Sequence, residues 1–216
     1  MVAPCVTVRG LLQNLCDWQQ KTWFGKSKGN EPHETASRAL EQLIAAWSPL
    51  TEKEVEALFN FRSGLDLFAM GKALYLPPLS RNPQFAPVLT MRCNLDQDCS
   101  DLQLRVMLVS CRDGNSLYGI GFRMECGAGQ HDFSHSQLLR DFRTGPYQQK
   151  GPLIECPEWL PETQPSFPLP ATNSVTLLLA MLISLYGMEY SDYIDPLIVG
   201  IATYQKEIMA CVKPKG

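Results

Sequence analysis

The sequence predicts an α+β fold: N-terminal helices, a small antiparallel sheet around a central hairpin, and a C-terminal helical pair. Three observations carry this. Apolar residues recur at three- and four-residue spacing through residues 1–76. They alternate singly through Leu102–Cys126 on either side of an Asp113-Gly114 turn signal. Helical spacing returns after Asn173, in a stretch with no charged residue from Ser174 to Gly187. A period near 3.6 marks one buried helix face and a period of two marks one buried sheet face, so the change of period marks a change of element.

In chain order, Val8, Leu11, Leu12, Leu15 and Trp18 form one stripe and predict a helix over 6–21. Gly25 and the polar run after it end that helix. A second helix is expected over 33–47, on Ala36, Leu40, Leu43, Ile44 and Trp47. Thr51 followed by Glu54 is a capping-box pattern, and the third helix is expected over 52–73, with Gly64 marking either a close helix–helix approach or a break near Ser63-Gly64. Strand character begins at Val88–Cys93. In the hairpin, Leu102, Leu104, Val106 and Leu108 share one face, matched by Tyr118, Ile120, Phe122, Met124 and Cys126. Gly119, Gly121, Arg123 and Glu125 take the other face, where two glycines imply a close neighbour or a strong bend. A turn is expected at Gly127-Ala-Gly129, and residues 130–137 fit either a third strand or a short helix capped by Ser134. Seven prolines in 143–173 predict an extended, ordered coil anchored by Trp159, Phe167 and Leu169. Helices over 174–187 and 191–211, split by Gly187, complete the chain. The expected organisation is one domain over 1–216: a helical section at 1–76, a sheet section at 87–142, the coil at 143–173 and C-terminal helices at 174–211.

Composition bounds the function. Charged residues are 19% of the chain, below the roughly 25% of an average soluble domain. A low charge fraction suits a subunit that covers part of its outside with a partner. The net charge of −3 gives no drive toward nucleic acid, so direct nucleic-acid binding is not expected. The clusters Lys21/Lys26/Lys28 and Arg140/Arg143/Lys150 are short and read as solvated loops. Residues 1–16 lack a basic start and a continuous apolar run, so no secretory signal is expected. The longest apolar run, Val175–Tyr186, falls short of the about 20 residues of a membrane span. Eight scattered cysteines without a CxxC suit reduced thiols in the cytoplasm.

One motif points to chemistry. His131-Asp132-Phe133-Ser134-His135 has the histidine spacing of the zinc-protease motif HExxH, with Asp where the general base stands. On a helix this would place both imidazoles on one face of a metal. The preceding glycines and the capping character of Ser134 argue against a helix there. On a strand, His131, Phe133, His135 and Gln137 would share a face, with the histidines about 13 Å apart, too far for one metal ion. Cys126 could join either histidine as a ligand or as a thiol beside a base. These residues make a metal-dependent hydrolase or nuclease the alternative function. Asp96, Asp98, Asp101 and Asp113 lie in or near turns and are read as solvated. Gly71-Lys72 lacks the glycine spacing and the following hydroxyl of a phosphate loop. Gly119-Ile-Gly121 and Gly127-Ala-Gly129 lack the third glycine of a dinucleotide fingerprint. No cofactor and no metal are expected.

The second candidate is the uncharged helix itself. Val175, Leu178, Leu179, Leu182 and Tyr186 form a stripe, and Leu177, Met181 and Ile183 cover much of the rest. A helix apolar all round is buried in its own domain or against a partner. The second option makes Leu178, Leu182 and Tyr186, with Trp159 and Phe167 of the proline arm, the candidate interface. The sequence leans toward a non-catalytic accessory or scaffolding subunit that binds other protein subunits in a larger cytoplasmic assembly. Prokaryotic multi-protein systems, defence complexes included, fit such a part.

Overall fold

The computed structural model describes residues 3–25, 32–61, 64–112, 116–126, 134–139, 154–157 and 166–212. The fold is α+β, with N-terminal helices, a mixed, largely antiparallel sheet and a C-terminal helical pair. The helices are α1 (Pro4–Gln19), α2 (Glu34–Ala46), α3 (Glu52–Phe61), α4 (Ser174–Tyr186) and α5 (Ile201–Val212). The strands are β1 (Ser48–Pro49), β2 (Leu65–Asp66), β3 (Lys72–Tyr75), β4 (Ala86–Cys93), β5 (Gln103–Cys111), β6 (Leu117–Glu125), β7 (His135–Leu139), β8 (Ile154–Glu155) and β9 (Phe167–Pro168).

Strand alternation divides the core in two. On one face of the sheet, Leu74, Leu89, Met91, Leu104, Val106 and Met124 pack with α1, α3, α4 and α5. On the other, Tyr75, Val88, Met107 and Val109 pack with α2, Trp47 and Phe68. Among the described residues, four helices therefore back one face, while α2 covers part of the other. Gln19 is buried yet satisfied: its amide donates to Leu50 O at 2.8 Å and accepts from Tyr75 N at 2.7 Å, tying α1 to the sheet.

The expected hairpin forms, with Leu104 opposite Met124 and Val106 opposite Phe122. Its two glycines have the close neighbour their spacing implied: a Cβ on Gly119 would stand 2.6 Å from Leu108 O. The loop closes through Arg112 N donating to Ser116 O at 2.9 Å, while Asp113, Gly114 and Asn115 lie outside the described residues. The sheet is larger than one hairpin, because short strands at 65–66, 72–75, 135–139, 154–155 and 167–168 extend it.

The expected helix over 52–73 is corrected. The Thr51/Glu54 capping box forms, with Thr51 N donating to Glu54 Oε2 at 3.0 Å and Glu54 N donating to Thr51 Oγ1 at 3.3 Å. Helix α3 stops at Phe61, and β2, a turn and β3 follow. Leu67 N donates to Met91 O at 2.9 Å, so the sheet supplies the backbone partners that a helix would have supplied internally. Residues 135–139 are strand rather than helix. The last helix starts ten residues later than expected, at Ile201, after a 3₁₀ turn over Gly187–Tyr193; Gly200 at φ +79 and Pro196 stand in between. The Lys26–Asn30 loop, the Gly127–Gly129 turn and most of the 143–165 coil lie outside the described residues.

Helix α4 is interior. Val175, Leu177, Leu178, Leu179, Met181 and Leu182 are each 0% exposed. Its start is fixed by an Asn173/Thr176 capping box. With the 3₁₀ turn it makes a 20-residue stretch apolar and long enough to cross a membrane by length and composition. Its side chains nevertheless pack against this chain's own sheet and helices.

Candidate functional site

The partly covered face of the sheet carries a polar band. Cross-strand register sets Asp66, Arg92, Gln103, Glu125 and His135 in one row across β2, β4, β5, β6 and β7. The next row is Thr90, Arg105, Arg123 and Gln137. Residues opposite each other across strands share a face, so these side chains are neighbours.

The band is hydrogen-bonded along its length. Gln103 is buried; its amide donates to Glu125 Oε1 and accepts from Arg105 Nη2 at 3.1 Å. Arg123 donates to Gln137 Oε1, and Gln137 Nε2 donates to Ser166 Oγ at 2.6 Å. Arg123 Nε also lies 3.2 Å from Glu125 Oε1. Arg105 and Arg123 stand directly opposite each other, an arrangement that is unfavourable without acceptors. Gln103, Glu125 and Gln137 supply them. The Arg105 guanidinium also lies 5.9 Å from the centre of the Phe68 ring.

At the β2 end the band opens into a cleft of about 570 Å³, lined by Gly64–Asp66, Arg92–Asn94, Asp101–Gln103 and Glu125. That is within the size range of ligand pockets, roughly 300–1,000 Å³. Its lining is of mixed charge, Asp66, Asp101 and Glu125 with Arg92, and Leu65, Cys93 and Leu102 of the helix-backed core also reach it. Asn94 Nδ2 donates to Asp101 Oδ2 at 2.8 Å. Arg92 is exposed.

The residues singled out from the sequence are not brought together as an active centre. His131 and Asp132 lie outside the described residues. His135 begins β7, is 2% exposed and sets Nε2 3.4 Å from Glu125 Oε2. Cys126 and Ser134 sit one residue beyond Glu125 and one before His135, so strand alternation turns them to the helix-backed face. There the Ser134 hydroxyl donates to Ala171 O at 2.6 Å, and its oxygen lies 3.6 Å from Cys126 Sγ. Burial pushes the Cys126 thiol up, and the Ser134 hydroxyl only partly opposes it. A Cys126–His135 nucleophile–base pair is thus corrected: the two side chains point to opposite faces. Among the described residues, no group of three or more His, Cys, Asp or Glu side chains is arranged to hold a metal ion.

The interface candidates separate. Leu178 and Leu182 are 0% exposed and Tyr186 is 6% exposed, with its hydroxyl donating to Pro77 O at 2.7 Å. They are interior packing residues, which corrects their placement on an interface: the sheet and α1 cover the helix face they occupy. Phe167 is 53% exposed, on β9 beside β7, and Trp159 lies outside the described residues.

The sequence pattern did not single out the band. Gln103, Arg105, Arg123 and Glu125 share a strand parity, and that parity is visible. A charged residue on alternate strand positions reads by default as solvated, and only register shows that four strands stack such residues side by side. No known protein family, characterised protein or solved structure matches the chain.

Proposed function

We propose that this chain is a non-catalytic accessory subunit that recognises a protein partner through the cleft and the polar band beside it. The reading extends to a larger cytoplasmic assembly of the prokaryotic kind. The observation that carries it is the cleft of about 570 Å³ whose polar lining is held in place by the cross-strand ladder. Side chains fixed by one another and by register form a preorganised surface, which lowers the ordering cost of binding. Donors and acceptors of both signs suit the alternating groups of a polypeptide better than a uniformly anionic backbone. The net charge of −3 argues in the same direction.

The support is no longer the apolar helix, since α4 is enclosed by its own fold. The hydrolase alternative finds no specific support among the described residues: His135 is enclosed on Glu125, and Cys126 faces away from it.

Affinity capture from the source cell, with wild type beside Arg92→Glu, tests the reading. Arg92 is exposed, so its substitution should leave folding within about 0.5 kcal/mol. We expect a stoichiometric protein partner with wild type and about tenfold or weaker binding with the variant, the equivalent of about 1.4 kcal/mol. Equal capture by both proteins, or capture by neither, overturns it.

A further inference from the structure

The charged side chains that line the cleft are Asp66, Arg92, Asp101 and Glu125, and the three acids are already engaged. Glu125 Oε1 accepts from the Gln103 amide and has Arg123 Nε at 3.2 Å, while its Oε2 has His135 Nε2 at 3.4 Å. Asp101 Oδ2 accepts from Asn94 Nδ2 at 2.8 Å. Asp66 Oδ1 accepts from Ala69 N at 3.0 Å. Arg92 differs from them. Among the described residues its guanidinium makes no hydrogen bond and no ion pair. Register sets it between Asp66 on β2 and Gln103 on β5. Gln103 is taken at both ends of its amide, by Glu125 and by Arg105. Arg92 is exposed and lines the cleft, so its N–H donors are open to whatever enters.

We propose that Arg92 seats a carboxylate side chain, an Asp or Glu presented by the protein partner. This rests on the binding reading above and names the group that the cleft recognises. An open guanidinium fork takes a carboxylate through two parallel N–H···O bonds, which adds direction as well as strength.

Two features select a side chain as the source. At this end β4 is paired on both sides, with Leu65 opposite Cys93 and Gln103 opposite Arg92. Asn94 N donates to Ser100 O at 2.9 Å. Among the described residues this wall therefore presents no nest of open backbone N–H groups, the usual seat of a terminal carboxylate. The acids of the lining also outnumber its one cation, and they repel any negative charge that Arg92 does not pair. The fitting segment thus carries a single acid among neutral residues, rather than an acidic run or a phosphate. A basic side chain would meet acid oxygens that already hold donors, with Arg92 repelling it.

The test selects peptides from a displayed random library on the intact chain. Calorimetry then measures the selected peptides against wild type, Arg92→Gln and Arg92→Glu. Peptides bound by wild type should share one Asp or Glu in a neutral context. Changing that acid to its amide should weaken binding to wild type about tenfold. The same change should alter binding to Arg92→Gln by less than about twofold, because the contact is already lost. Changing the acid to Lys should improve binding to Arg92→Glu, so one misfolded variant does not leave the question open. An equal loss in wild type and Arg92→Gln overturns the proposal. Selected peptides that carry Lys or Arg in place of an acid overturn it and leave the binding reading standing. A library with no binder, or binders indifferent to both Arg92 variants, overturns the two together.

Discussion

Thr90 is 1% exposed, and its hydroxyl has no hydrogen-bond partner among the described residues. A buried hydroxyl left unsatisfied costs about 1–3 kcal/mol, and its replacement by a methyl group of the same shape removes that cost. Thr90→Val should therefore raise stability by about 1 kcal/mol in urea unfolding; a loss of similar size would mean that the hydroxyl is satisfied. Gly119 makes the opposite prediction. The Cβ of Gly119→Ala would meet the backbone oxygen of Leu108, which cannot move aside alone. Overpacking of this kind costs about 1–3 kcal/mol. A variant as stable as wild type would show that the two strands separate more easily than the register implies. The need for small residues at 119 and 121 was legible from two glycines on one strand face. The roles of Gln103 and Glu125 were not, because a single strand does not reveal what stands opposite.

Elements were legible where local pattern and tertiary demand agreed. The hairpin and α4 are such cases: alternation marks a strand pair, and an uncharged run at helical spacing marks a buried helix. The stretch after Phe61 is the contrary case. Leu65 and Phe68 fit a helical stripe and a strand–turn–strand equally, and contact with β4 decides between them. For α4 the remaining question was what covers it. Leu178→Ala should cost about 2–5 kcal/mol, as large-to-small changes in a closed core do. Denaturant unfolding measures this, and a near-zero effect would return Leu178 to a surface role. The β4–β5 loop carries a pH prediction. The Ser100 hydroxyl and amide hold the Asp96 carboxyl below its ordinary value; burial pushes the other way, and the amides of Asp98 and Cys99 add smaller contributions. A folded value below the unfolded one gives stability that is full above the ordinary carboxylate range. That stability is lost as the pH falls through the lower, folded value. Asp96→Asn should be less stable than wild type at neutral pH, with the gap closing in acid; a gap that stays constant with pH contradicts the assignment.

On the scale of the whole molecule, helices are distributed unevenly over one sheet. Among the described residues, four helices pack on one face and α2 packs on part of the other, the face that carries the polar band. That asymmetry gives the fold a stable back and a specific front. It moves the functional weight from the apolar helix to the sheet. The single-chain pattern showed the two classes of element and the order in which they come. It did not show how many helices return to each side of the sheet.

The most direct test keeps Arg92 and places a photo-crosslinking side chain at exposed Gly64 on the cleft rim, where an added Cβ would stand 3.9 Å from its nearest neighbour, and, as a control, at exposed Glu41 on α2, both in the source cell. A discrete protein adduct is expected from position 64 and none from position 41. Equal labelling from both positions, no protein adduct from position 64, or an adduct to nucleic acid there would contradict it.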